Sequence, residues 1–293
     1  MNAMRFMMTM ILFLVAALPA RAELVDLELV LAVDVSGSVD DEEAELQRAG
    51  TVAALTDERV IRAIKAGRRG RIAVAYVEWA GDPIQRMVVD WSVIDGEASA
   101  ADFARRLAKA PMSVEMWTSI SGVMRFAHDV FRLSPHQGRR RVLDISGDGP
   151  NNDGALVTGA RRAMVKAGIT INGLPIINGR PSRYGTPPLE HLDWYYEDCV
   201  IGGQGAFIGI ANTFRDFGRA NGAAGTEIRN ENGLVDRRLQ GHAGLELRYI
   251  LGGNLNPLTR PRVAARGGVT MTNAKGTKAN ETYFRTSLKG GSD

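Results

Sequence analysis

Cysteine is nearly absent. Cys199 is the single one in 293 residues, so no disulfide can close within the chain. A lone cysteine is either buried and inert or a link between two copies; here it follows Tyr195, Tyr196, Glu197 and Asp198 in a helical pattern, which favours burial. Histidine is scarce too. His128, His136, His191 and His242 are scattered, without the spacing of a metal-binding HExxH helix. No Ser lies in GxSxG and no GxxxxGK(S/T) loop occurs, so the nucleophile elbow and the phosphate-binding P-loop are both missing. Gly203-Gln204-Gly205 precedes a strand instead of following one and is no dinucleotide loop. Large charge imbalance is lacking: 36 Lys and Arg stand against 33 Asp and Glu.

Long apolar runs are confined to the start. Arg5, the apolar stretch Phe6 to Leu18 and the small-x-small triplet Ala20-Arg21-Ala22 form the pattern of a secretory signal, with cleavage expected after Ala22. That stretch is too short to cross a ~30 Å hydrocarbon core as a helix. The expected address is periplasmic or secreted, with no membrane span after cleavage and no nearby cysteine to carry a lipid. The remaining chain has 34 basic and 33 acidic residues, a net of +1. Residues 221–293 hold 11 basic and 6 acidic residues, which leaves 23–220 at −4. A net-acidic main domain argues against nucleic acid as a partner.

Strand and helix patterns alternate from residue 27 to about 220. Leu27 to Val35 is almost continuously apolar, as for a strand buried on both faces. Further strands are expected at 71–80, 85–94, 139–145, 169–177 and 206–211. Gly81-Asp82-Pro83 makes the second and third a hairpin. Helices are expected at 41–65 with a break near Thr56-Asp57, and at about 99–109, 118–133, 154–167 and 189–200. The expected fold class is α/β, a three-layer sandwich around a six-stranded, mostly parallel sheet with one antiparallel edge strand. After Ala220 the character changes. Residues 221–293 contain 12 of the 33 glycines and no sustained period, so a low-order C-terminal tail is expected there.

The chemistry concentrates at Asp34-Val35-Ser36-Gly37-Ser38, where the first strand turns toward a helix. Three oxygen side chains sit at i, i+2 and i+4. Ligands of open α/β sheets bind at the carboxyl ends of strands. Hard cations want about six oxygens, more than one loop supplies. Thr118 opens a later helix and Asp148 follows the fourth strand, in Ser146-Gly147-Asp148-Gly149, so both can join.

The DxSxS loop, the later Thr and the later Asp resemble the metal-ion-dependent adhesion site of von Willebrand factor A domains. The strings DISGDGPNND and GITINGLPI resemble, more narrowly, the bacterial DUF1194 family of exported A-type proteins. The resemblance implies strand order 3-2-1-4-5-6. It also implies that Asp34, Ser36, Ser38 and Thr118 hold an ion directly or through water, with Asp148 acting mainly through water. The ion would be Mg2+, or Mn2+ or Ca2+, which share oxygen ligands. A sixth position would accept an Asp or Glu carboxylate from a protein partner. Many A domains carry Gly before this Thr. Trp117 stands there instead, either crowding the open position or serving as an aromatic contact beside it; Asn151 and Asn152 are further candidate partner contacts.

Competing readings are plain. Asp34, Ser36 and Ser38 suit a helix cap. Counted as an EF-hand, Asp34, Ser36, Ser38, Asp40 and Glu45 fall on ligand positions, but Val39 occupies the place that needs Gly. Asn151, Asn152 and Asp153 suit a cap of the following helix or support of the ligands. Asp144 is expected to pair with Arg139 or Arg141. The expected function is an extracytoplasmic, metal-dependent, non-catalytic protein-binding module; the alternatives are a periplasmic metal-assisted hydrolase or a structural domain with an idle metal site.

Overall fold

The computed structural model describes residues 22–39, 41–177, 179 and 187–211, and two short strands at 271–272 and 278–279. The expected signal segment and nearly all of the expected tail lie outside the described residues, as does Asp40. In chain order the elements are β1 (Glu23–Asp34), α1 (Asp41–Thr56), α2 (Glu58–Lys65), β2 (Ile72–Trp79), β3 (Gln85–Ile94), α3 (Glu97–Lys109), α4 (Ile120–Arg132), β4 (His136–Gly147), α5 (Val157–Lys166) and β5 (Thr170–Pro175). A single turn, α6 (Leu192–Tyr195), runs into a π-helical turn at Tyr196–Val200. β6 (Met271–Thr272) and β7 (Lys278–Ala279) pair with each other in antiparallel fashion.

β1 explains the layering. Leu27, Leu29, Leu31 and Val33 face one way and pack under α1, α2 and α3 through residues such as Leu55, Ile64 and Phe103. Val30 and Ala32 face the other way, against Ile120 and Met124 of α4, Met164 of α5 and Tyr196. A strand in that position takes apolar side chains at nearly every step, and from Leu27 to Val33 only Glu28 interrupts the run. The helical stretch 41–65 breaks where expected. Asp57 takes extended backbone and its carboxylate accepts from the Arg59 N–H at 2.7 Å, capping α2 as α1 ends.

The sheet has five strands in the order β3-β2-β1-β4-β5, with β3 antiparallel to β2 and the others parallel. The expected sixth strand at 206–211 is corrected to an irregular segment that touches β5 through parallel bridges at Gly173–Ile208 and Ile176–Ala211. Bonds do form: Gly173 N–H to Phe207 O at 3.1 Å, Gly209 N–H to Gly173 O at 2.9 Å and Ile177 N–H to Ala211 O at 2.7 Å. Between them stands Pro175, which has no N–H to give, so the ladder skips a rung.

Two buried carboxylates brace the sheet. Glu78 on β2 accepts from Arg48 of α1 and Arg86 of β3. Arg48 also donates to Ala110 O at 2.5 Å, fixing the loop that leads from α3 toward Thr118. Asp144 on β4 does not take the expected arginine partners; it accepts from the Asn172 amide at 2.7 Å on neighbouring β5. Arg141 donates instead to Ala167 O. Cys199 is buried in the π-helical turn, as an inert thiol would be. Among the described residues no helix is long and apolar enough to cross a membrane.

Candidate metal centre

From β1 the chain proceeds to β2 on one side, while β4 lies on the other. The carboxyl ends of β1 and β4 therefore flank the point where connections diverge, the place where open α/β sheets take ligands. Asp34 is the last residue of β1, Asp148 follows the last residue of β4, and Thr118 lies two residues before α4.

The five expected residues meet there. Asp34 Oδ1 accepts from the Ser36 N–H at 2.8 Å, which curls the loop back over its own carboxylate. The Thr118 hydroxyl donates to Ser36 Oγ at 3.4 Å. Ser36 Oγ and Ser38 Oγ are 3.2 Å apart. Ser38 Oγ donates to Asp148 Oδ1 at 2.6 Å. Asp34, Ser36 and Thr118 are buried, while Ser38 and Asp148 are half-buried. The cluster thus has a dry floor and one side turned to solvent. The Ser38 hydroxyl is engaged across the sheet end, not only with a local helix start, so a cap alone does not account for the loop.

Backbone bonds lace the contributing loops together. Glu115 N–H reaches Val35 O at 2.9 Å, Ser119 N–H reaches Ala80 O at 2.8 Å, and Asn152 N–H reaches Thr118 O at 2.8 Å. Asn151 and Asn152 hold this lacing instead of capping α5, whose start at Leu156 has no side-chain cap. Asn152 Oδ1 accepts the Thr118 N–H at 2.8 Å. Asn151 Oδ1 accepts the Ser121 N–H at 3.0 Å, and its amide donates to Asp153 O and Ala155 O. Both ends of the Asn151 amide are thereby engaged with the chain itself, so Asn152 supports Thr118 directly and Asn151 supports the start of α4 beside it. Asp153 Oδ2 accepts from the Asp82 N–H at 2.9 Å. Trp117 adopts a left-handed backbone with φ 68 and is half exposed, beside exposed Met116.

The electrostatics are those of two carboxyl groups crowded into a poorly solvated place. Burial, and then the nearby Asp148 charge, push the Asp34 carboxyl well above the usual carboxylate range. Burial raises Asp148 as well, with the Ser38 hydrogen bond working against it. Two carboxylates in one poorly solvated site cannot both ionise cheaply unless positive charge joins them. Asp34 Oδ2 has no hydrogen-bond partner among the described residues although it is buried. The donors on hand are two carboxylates and three hydroxyls, all hard oxygen, which fits Mg2+-like ions. Among the described residues no group of three or more His, Cys, Asp or Glu is placed to hold a metal.

Three residues at the site escaped sequence reasoning: Tyr196, Trp79 and the role of Gly147. A Cβ on Gly147 would come within 2.8 Å of the Tyr196 hydroxyl and 2.9 Å of Asp34 Oδ2, and 3.3 Å of Trp79. The glycine in SGDG was visible; what crowds it comes from elements far away in the chain.

An open α/β sheet with an antiparallel edge, and oxygen side chains gathered over the β1–β4 divide, is the arrangement the resemblance implied. The chain belongs to the family described as "Protein of unknown function (DUF1194)", which matches residues 24–222. Among solved structures it is similar to BatB from Bacteroides thetaiotaomicron, at 17% identity over 64% of this chain and 91% of that one, with a TM-score of 0.43. It is also similar to a von Willebrand factor type A protein from Catenulispora acidiphila, at 15% identity over 67% and 41% with a TM-score of 0.45. A third is proximal thread matrix protein 1 from the mussel byssus, described with a zinc-occupied MIDAS motif, at 15% identity over 65% and 42% with a TM-score of 0.44. Comparison with curated proteins gives no match.

Proposed function

We propose that this chain is an exported binding module that holds Mg2+ or Mn2+ among Asp34, Ser36, Ser38, Thr118 and Asp148. Through that ion it captures a protein partner by an Asp or Glu side chain, and it carries out no catalysis. The observation that carries the reading is the spacing of the oxygens. Neighbouring ligands of an octahedral ion with bonds of about 2.1 Å lie about 3 Å apart. The successive oxygens from Thr118 to Asp148 are separated by 3.4, 3.2 and 2.6 Å. Oxygens so spaced suit neighbouring places in such a shell. The smaller ions fit better than Ca2+, whose longer bonds spread its ligands further.

The charge arithmetic supports a carboxylate partner. Asp34 and Asp148 together neutralise a dication, and the hydroxyls add no charge. The ion still attracts a further anionic oxygen. The half-buried side at Ser38 and Asp148 is where that oxygen would approach. Trp117 and Met116 present exposed apolar surface on the same loop as Thr118, suited to residues flanking the partner's acid.

Calorimetry with Mg2+ and Mn2+ tests the ion: binding by the wild type and its loss in Asp34→Ala is expected, and equal binding by the variant overturns the site. Capture of an envelope protein that EDTA releases tests the partner. Turnover of phosphate or carboxylate esters by the Mn2+-loaded chain would replace the binding reading with a hydrolytic one. Edman sequencing of the exported protein is expected to begin at Glu23.

A further inference from the structure

Tyr196 enters the centre from behind. It lies in the π-helical turn at Tyr196–Val200, fully buried, on the sheet face covered by α4 and α5. Two glycines clear its path. A Cβ on Gly173 of β5 would stand 2.7 Å from a Tyr196 ring carbon, and a Cβ on Gly147 of β4 would stand 2.8 Å from its hydroxyl oxygen. The ring therefore lies along the sheet from Gly173 to Gly147, and its hydroxyl ends beside Asp34 Oδ2, which is 2.9 Å from that same Gly147 position. Neither the Tyr196 hydroxyl nor Asp34 Oδ2 has a hydrogen-bond partner among the described residues. The Tyr196 hydroxyl also lies close enough to the Asp34 and Asp148 carboxylates for their charge to raise its own pKa, after burial itself.

A buried hydroxyl without a partner costs roughly 1–3 kcal/mol. Phenylalanine would fill the same volume without that cost. Two strands give up side chains to admit this ring, yet its polar end is left near an equally unpartnered carboxylate oxygen. Packing alone does not account for the oxygen on the ring. π-Helical turns are also over-represented at functional sites, because they re-aim a side chain within a helix.

We propose that Tyr196 is the positioning residue of the metal centre. Its hydroxyl, passing over Gly147, donates to Asp34 Oδ2, directly or through one water, and holds that carboxylate where it presents an oxygen to the cation. The proposal rests on the metal reading above. Asp34 is then gripped from both ends: Oδ1 by the Ser36 N–H and Oδ2 by the phenol. Each carboxylate oxygen keeps a further lone pair for the ion or for a water on it. Partners of this kind, which touch the ligand and not the metal, commonly change metal affinity by about 10- to 100-fold when removed.

The test compares Tyr196→Phe with wild type in the full chain, using Mg2+ and Mn2+ titrations, thermal unfolding in EDTA and in saturating metal, and near-ultraviolet difference spectra. Wild type is expected to bind and to show a tyrosine difference band on binding. Tyr196→Phe is expected to bind about tenfold more weakly or worse and to lose the band. In EDTA it should melt no lower than wild type, because it removes an unpaired polar group. Affinity within twofold of wild type overturns the proposal. So does an equal loss of melting temperature with and without metal, which would make the hydroxyl a structural one. Failure of wild type itself to bind either ion overturns the metal reading, and this proposal with it, and so is distinguishable from failure of the Tyr196 assignment alone.

Discussion

On the proposed reading each hydroxyl in the oxygen chain would contribute a ligand without contributing charge, so hydroxyl and carboxylate losses should differ in kind. Ser36→Ala is expected to weaken Mg2+ binding while leaving folding intact, since the bonds of its hydroxyl, to Ser38, Thr118 and the Asp34 carboxyl, all lie within the cluster. Gly147→Ala should be worse than its single methyl suggests. The added carbon would press on both the Tyr196 hydroxyl and Asp34 Oδ2. Overpacking of this sort costs about 1–3 kcal/mol. Urea unfolding should show that loss in EDTA, and calorimetry should show reduced metal affinity in the same protein. Trp117 belongs to a different test. It touches none of the four oxygens in the chain by hydrogen bond, so Trp117→Ala should keep metal affinity within about twofold while releasing a captured partner sooner.

Among the elements, β4 carries a group whose behaviour with pH can be worked out. Burial raises the Asp144 carboxyl from its ordinary 3.8 to about 7, against the lowering effects of the Asn172 hydrogen bond and Arg140. Below the unfolded value both folded and unfolded chains hold the proton and Asp144 costs nothing. Between about pH 4 and 7 the unfolded chain releases it first, so stability falls as pH rises, by at most about 1.4 kcal/mol per unit. Above 7 the penalty stays constant. Asp144→Asn keeps an oxygen for the Asn172 amide, and should flatten the urea midpoint across that window when both proteins are measured in EDTA. The elements themselves were largely legible in the sequence, because strands buried on both faces advertise themselves by nearly continuous apolar runs and β3 by its Gly-Asp-Pro turn. The failed strand at 206–211 was not legible from its own residues. Its ladder is broken by Pro175 on the neighbouring strand, and nothing local to 206–211 reveals which strand will be its neighbour. The same limit governed the site. Asp34, Ser36 and Ser38 announce themselves by spacing within one loop, and Thr118 and Asp148 by their places at helix and strand ends. Tyr196 sits 162 positions from Asp34 by the numbering and carries no motif; only the two glycines that clear its ring, read in three dimensions, give it away. Asp144 was visible as a charge inside an apolar run, yet its partner proved to be Asn172, because adjacent parallel strands put that amide beside it.

At the scale of the whole molecule, metal and folding should be linked. An ion that binds only the folded chain stabilises it by about 2.7 kcal/mol at a hundredfold excess over its Kd. For a domain of this size that corresponds to roughly 5–10 °C in Tm. Scanning calorimetry with Mg2+ and with EDTA should show that gap in wild type and no gap in Asp34→Ala. The lacing of the loops bears on another property. Val35, Ala80, Glu115, Thr118 and Asn152 are tied backbone to backbone at the very ends of the strands. A partner tugging on the cation would therefore find no slack loop to pull out. The load would pass lengthwise into β1 and β4, which run side by side in parallel through the middle of the sheet. To move, the pair would have to slide past β2 and β5 and break many bonds together, not peel away one by one, so the grip would hold against drag.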